Sequence, residues 1–174
     1  MLKGIYLGAC RAYHPSYNLD YNDIIPGYHN NIICDMLEVE LTNYDYIIAT
    51  PPCNWWTRAN WRRNQSEYSL KTKHLLPDIL EKCGKLNRPF IIENVRNYKR
   101  FKENGIIKIC EEYGIYIYEY GRHTYFTNIM FNPNNIEQIP DHIQNTCNGT
   151  TKYRQGGTNV HNVIEYWLKI INNK

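Results

Sequence analysis

Three residues whose types could act together on a flat, electron-poor ring stand at the ends of apolar runs: Cys53, Glu93 and Arg122. Tyr46-Ile47-Ile48-Ala49 has the length and β-branched content of a buried strand, and Thr50-Pro51-Pro52 stops it. Two prolines fix φ and remove N–H donors, so Cys53 is expected on a stiff loop at a strand end, where open α/β sheets bind ligands. Pro89-Phe90-Ile91-Ile92 leads in the same way into Glu93 and Asn94. A carboxylate closing so apolar a run is costly without a partner or a task. Arg122 follows Gly121 between two further strand-like runs. A thiolate adds to an electron-poor ring carbon, a carboxylic acid holds or protonates a ring nitrogen as charge develops, and a guanidinium fixes a carbonyl or phosphate oxygen. Sharing one pocket, the three suit attack on a pyrimidine. Taken singly each has a plainer reading: cysteine is often a small hydrophobe, and an arginine at a strand turn is often surface.

Directly after Cys53 come Asn54, Trp55 and Trp56, then Trp61, interleaved with Arg58, Arg62 and Arg63. Indoles stack on bases and arginines meet phosphates, so this segment reads either as core or as a nucleic-acid contact surface. Overall charge does not decide between them. Twenty Lys+Arg against 17 Asp+Glu give a formal net charge of +3, too mild to announce a polyanion binder by itself. Six cysteines stand far apart with no CxxC pair, so neither a zinc motif nor a secreted disulfide framework is indicated, and reduced thiols in a cytoplasm are expected. No signal-like segment opens the chain and no apolar run nears the roughly 18 residues of a membrane span. The abundance of Ile, Asn, Lys and Tyr fits an AT-rich genome, bacterial or viral.

The elements that must position these residues follow from periodicity. At 174 residues the chain is expected to form one domain. Residues 3–9 read as a first strand running into a small-residue turn, with 23–27 and 31–35 as short extended pieces, the latter ending in Asp35. Leu70, Leu75, Ile79, Leu80, Cys83 and Leu86 recur at near-helical spacing, so a helix is expected over 67–86, kinked at Pro77 and ended by Gly84 or Asn87-Arg88-Pro89. A further helix is expected over 106–113, stopped by Gly114, and strands over 115–120 and 124–130. The stretch 132–157 reads as loop, and Val160, Val163, Ile164, Trp167 and Ile171 give a last helix one apolar face. Strands alternating with helices predict a largely parallel α/β sheet with an antiparallel portion toward the C-terminus.

Thr50-Pro51-Pro52-Cys53-Asn54, Ile92-Glu93-Asn94-Val95 and the leucine-bearing helix between them resemble, in order and spacing, the cytosine-5 DNA methyltransferases. The resemblance implies a Rossmann-like methyltransferase-type fold in which a cysteine adds to C6 of a flipped cytosine, a glutamate engages N3, and a methyl group passes from S-adenosylmethionine to C5. Cys53 and Glu93 would hold the first two roles, and Arg122 lies roughly where the family keeps a base-supporting arginine motif. By the same resemblance Leu7, Gly8, Asp35, Pro52 and Asn159 would face the cofactor, and Asn54 and Asn94 would join the tryptophans and arginines on the substrate. The chain departs from the family in three places. Tyr6-Leu7-Gly8-Ala9-Cys10 stands where a glycine-rich loop and helix are usual, Asn54 replaces a glutamine, and few residues follow Arg122 where a target-recognition domain would stand.

The expected partner is nucleic acid, DNA before RNA, with no membrane association. Two other readings remain open at this stage. One is a catalytically reduced relative that binds DNA, a nucleotide or a protein, for instance as a viral inhibitor acting in a host cytoplasm. The other is an enzyme using the same thiol-on-pyrimidine chemistry on RNA or a free nucleotide.

Overall fold

The computed structural model describes residues 2–136 and 159–173. Seven strands form one sheet: β1 (Lys3–Leu7), β2 (Asn18–Asp23), β3 (Ile32–Ile33), β4 (Tyr46–Ala49), β5 (Phe90–Val95), β6 (Tyr116–Tyr120) and β7 (His123–Thr127). Their order is β3-β2-β1-β4-β5-β7-β6. Every pairing from β3 to β5 is parallel, and β7 is inserted antiparallel between β5 and β6. The helices are α1 (Glu67–Thr72), α2 (Leu75–Lys85), α3 (Tyr98–Glu103), α4 (Ile106–Tyr113) and α5 (Asn159–Asn172). This is the expected α/β architecture, mostly parallel with an antiparallel part toward the C-terminus. No described helix is long and apolar enough to cross a membrane.

Period-two alternation along the central strands builds two cores. Ile47, Ala49, Phe90 and Ile92 face α2, α3 and α4, where Leu76, Ile79, Leu80, Phe101 and Ile106 complete one cluster. Tyr6, Tyr46, Ile48, Ile91 and Tyr125 face α5, whose Val163, Ile164, Trp167 and Leu168 cover them. All four β4 residues are buried, which is why that segment reads as a continuous apolar run rather than an alternating one. Each such aliphatic side chain contributes about 1.5–3 kcal/mol of burial free energy.

Local chemistry explains where the structure differs from the sequence expectation. The expected kinked helix over 67–86 is two helices. Ser66 caps α1 by accepting from the Ser69 N–H at 3.3 Å, the chain breaks at Lys73-His74, and Pro77 sits in the first turn of α2, where its missing N–H would have no partner anyway. Gly84 lies inside α2 rather than ending it. A Cβ there would lie 2.5 Å from Cγ of Tyr113, so the bare Cα lets α2 and α4 approach. The extended piece expected at 23–27 lies earlier, as β2. Its polar content hid it: Asn22 is fully buried, and its amide donates to the carbonyls of Ile32 and Cys34 at 3.1 and 3.0 Å. Asp20 ties the same strand to Lys3 at 2.9 Å and to the Tyr44 hydroxyl at 2.9 Å. The short α3 has no periodic signal in the sequence. β1 reaches β2 through residues 8–17 in turns alone, without a helix, and this connection joins α5 in covering the second face.

Gly84→Ala tests the close approach of the two helices. In an open helix interior the change would stabilise by about 1 kcal/mol, whereas overpacking against Tyr113 costs about 1–3 kcal/mol. The expected outcome is a lower urea midpoint with an unchanged slope.

Candidate active site at the strand ends

Cys53 is half-buried on the loop leaving β4, and the strands on both sides hold that loop. From β1, the Leu7 carbonyl accepts the Thr50 N–H at 3.0 Å, and the Gly8 carbonyl accepts the Thr50 hydroxyl at 2.7 Å. From β5, the buried Asn94 amide donates to the Pro51 carbonyl at 3.1 Å. Just beyond β5, Asn97 donates to the Trp56 carbonyl at 2.6 Å. The Cys53 carbonyl closes the turn by accepting the N–H groups of Trp56 and Thr57, both at 2.9 Å. Trp56 anchors the far end in the core against Phe101, their ring centroids 5.6 Å apart. The thiol is thus carried by a loop with little freedom of its own.

Glu93 stands on the neighbouring parallel strand, on the sheet face that carries Ile91. Antiparallel pairing sets Tyr125 opposite Glu93 and His123 opposite Val95. His123 Nδ1 therefore reaches Glu93 Oε1 at 2.6 Å, with the two side chains only 22% and 13% exposed. Two phenols share this environment. Burial raises the pKa of Tyr6 and Tyr125 strongly, and the charge on Glu93 is the next cause in each case, so both stay protonated. Arg122 occupies the tip of the β6–β7 hairpin with Gly121, whose φ is 59°. It is exposed, and its carbonyl accepts the Arg96 N–H at 2.8 Å, which fastens the hairpin tip to the end of β5.

The tryptophan–arginine segment divides. Trp61 is 75% exposed with the Arg62 guanidinium 4.3 Å above its ring, and Arg58 is exposed as well. Trp55 is half-buried beneath Lys73 and Arg100, at 5.3 and 5.6 Å from its ring centre. Trp56 is only 2% exposed and offers no stacking face, because the loop uses it as its core anchor. Arg63 turns inward and donates to the Thr57 carbonyl at 2.6 Å; burial, then Arg100, lowers its pKa. Asn54 is exposed, whereas Asn94 is fully buried and acts on the loop rather than at the surface.

On the other side of the switch point lie the residues expected to face a cofactor. Gly8 has φ +64°, and a Cβ there would stand 2.8 Å from the Thr50 carbonyl, so only glycine fits. The Leu7 side chain is in the core, leaving only its backbone near the edge. Asp35 ends the β3 segment and accepts the Leu37 N–H at 2.9 Å; Pro52 is half-buried. Asn159 begins α5, and its side chain lies outside the described residues. Asp23 ends β2 and holds the turn after Gly8 by accepting the Cys10 N–H at 2.8 Å and the Ile25 N–H at 3.1 Å.

Several site residues escape sequence reasoning. Asp23 does so because the polar β2 carries no apolar run to mark its end, and His123 because its role appears only once its strand pairs with β5. Tyr68 of α1 lies over the same edge, its phenol raised by burial and then by Cys53 and Asp23. The alternation His123-Tyr125-Thr127 is a readable signal, since it puts one imidazole and one phenol on the same face.

A scan against models of known protein families finds no match, and a search of curated proteins finds no relative.

Thiol reactivity separates the described cysteines. Burial pushes the Cys83 and Cys110 thiols up to about 12, so they are almost wholly protonated at mildly basic pH, while Cys10 is exposed and Cys34 and Cys53 are half-buried. Alkylation of the native protein at mildly basic pH should label Cys10, Cys34 and Cys53 and spare Cys83 and Cys110 until the chain is unfolded. Peptide mass spectrometry with and without denaturant is the check.

Proposed function

We propose that this chain is a small cytosine-5 methyltransferase-like protein acting on cytosine in DNA through a covalent bond to Cys53. One observation carries the reading: the Cys53 loop is pinned by Asn94 and Asn97 beside a strand whose Glu93 is held by His123. A nucleophile and a carboxylic acid on adjacent parallel strands, on a loop with few freedoms, suit addition to a ring carbon coupled to protonation of a ring nitrogen. In that reaction the Cys53 thiolate bonds to C6 while N3 takes a proton from Glu93. After C5 is alkylated, loss of its proton, expulsion of the thiolate and return of the N3 proton to Glu93 restore the ring and free Cys53. His123 keeps the carboxyl group oriented, and Arg122, on the hairpin tip fastened to the end of β5 through its carbonyl, is the residue that would steady the base or its phosphate.

The cofactor of this reading is S-adenosylmethionine, which supplies the electrophilic methyl group. The acceptors at the ends of β2 and β3 fit its nucleoside half. Asp23 and Asp35 are strand-end carboxylates whose oxygens retain lone pairs beyond the backbone N–H groups they accept, which suits hydroxyl or amine donors. The β1–β2 connection without a helix, by contrast, favours a second reading, a binding protein that keeps the pocket without turnover.

Incorporation of labelled methyl groups into mixed DNA should occur with the wild type, fall to background in Cys53→Ser, and drop about 10²–10⁴-fold in Glu93→Gln with the fold intact by circular dichroism. Single-stranded DNA should be preferred, because flipping a paired base costs a few kcal/mol. Wild-type protein that neither incorporates methyl groups nor binds S-adenosylmethionine in calorimetry would transfer the case to the binding reading.

The rim carries a separate expectation. Arg62 over the exposed Trp61, with Arg58 exposed on the same segment, suits phosphate neutralisation and stacking. Replacing both by Ala should weaken DNA binding about equally for all sequences and reduce the log–log salt slope by roughly one unit for each phosphate that is no longer neutralised. Isotherms at several salt concentrations measure it, and an unchanged slope would mark these arginines as ordinary solvated surface.

A further inference from the structure

On the α5 face of the sheet, apart from the strand-end thiol, two imidazoles and a carboxylate converge. His14, from the β1–β2 connection, is 1% exposed. His161 and Glu165 stand one turn apart on α5, so they share a face of that helix. One ligand atom from each of the three lies within 4.8 Å of the others. His14 Nδ1 is 2.6 Å from Glu165 Oε1, His161 Nε2 is 3.8 Å from the same oxygen, and the two imidazole rings are stacked with centroids 4.5 Å apart. We propose that His14, His161 and Glu165 bind a divalent transition-metal ion, zinc as the reference case, that fastens the β1–β2 connection to α5.

The donor set and its spacing support this. Two imidazoles and one carboxylate are a common ligand set for zinc and neighbouring first-row metals, and three protein ligands leave a coordination position for water. Bonds of about 2.0–2.1 Å to a tetrahedral ion set ligand atoms roughly 3.3 Å apart. The 2.6 Å contact would widen and the 3.8 Å contact shorten, each by less than about an ångström, and the two stacked imidazoles would turn out of their parallel arrangement so that a nitrogen of each points at the ion. The surroundings hold His14 in place: its backbone N–H donates to the Tyr21 hydroxyl at 2.9 Å, and the Tyr6 ring stacks on its imidazole with centroids 5.9 Å apart.

The location gives the ion a task. A parallel crossover is usually stiffened by its own helix, and here residues 8–17 supply only turns. A metal shared between that connection and α5 would replace the missing helix as the link between β1 and the layer above it. The ion would serve this purpose whether or not the chain transfers methyl groups.

The test uses the full chain freed of metal by a chelator and then removed from it. Equilibrium dialysis and calorimetry with zinc chloride at neutral pH should show one saturable ion per chain and a raised thermal midpoint. His161→Ala and the near-isosteric Glu165→Gln should each weaken binding at least about tenfold and abolish the thermal shift. Because Cys10 and Cys53 could hold zinc on their own, the titration is repeated in Cys10→Ser/Cys53→Ser, where the site should persist. Cobalt should give visible absorption without a thiolate charge-transfer band. No saturable binding, equal binding in both α5 variants, loss of binding in the cysteine variant, or a thiolate band would each overturn the proposal and leave the three residues as a hydrogen-bonded cluster.

Discussion

The buried amide of Asn94, donated to the carbonyl of Pro51, is the interaction on which the arrangement at the strand ends depends. Two consecutive prolines stop β4 and contribute no N–H of their own, so the loop that carries Cys53 must be held by donors brought from elsewhere. Asn94 supplies one from β5 and Thr50 two toward β1, which holds the loop at the end of β4, beside the β1–β4 pair at which the sheet's order reverses. Removal of the Asn94 amide would leave a buried carbonyl unpaired, at a cost of about 1–3 kcal/mol. The same strand carries Glu93 on the opposite face, so a single element both fixes the Cys53 loop and presents the carboxylate.

This division of labour by face runs through the molecule. Alternation along β5 sends Phe90, Ile92 and Asn94 toward α2, α3 and α4, and Ile91 and Glu93 toward α5. The first side is structural, with apolar packing and the loop clamp. The second gathers the ionisable groups, Glu93 with His123, Tyr6 and Tyr125, and next to them His14, His161 and Glu165. Tyr6 joins the two groups, its ring lying beside His14 while the Glu93 charge helps raise its phenol.

The first crossover shows how a chain can shorten a standard unit. Where a helix would be expected, residues 8–17 hold themselves by turns, by Asp23 accepting the Cys10 N–H, and by His14 reaching α5. Backbone amides that a helix N-terminus would leave open for an anion are in this way partly engaged by the protein's own carboxylate. The cost to any ligand is a less prepared cradle, and the gain is a shorter chain.

What the sequence determined by itself was the set of strong local signals. The apolar run into Pro51-Pro52, the run into Glu93, the helix before Gly114 and the amphipathic last helix all lie where periodicity put them, because burial of a one-period face needs no tertiary detail to be read. So were the α/β class, the antiparallel portion near the end, and the placement of Cys53 at a strand end. Tertiary structure decided the rest. β2 was hidden because its polar residues are satisfied by partners far along the chain, Asn22 by the β3 segment and Asp20 by Lys3 and Tyr44. Trp56 and Asn94 read as substrate contacts and are buried instead, since a donor or an indole looks the same in sequence whether it meets a ligand or a neighbouring loop. His123 acquired its place against Glu93 only when β7 paired antiparallel with β5, and His14 met Glu165 only when α5 packed on the face that the β1–β2 connection also covers. Pairings across 30 and 151 residues of chain leave no local periodicity to read, which is why they belong to the fold and not to the sequence pattern.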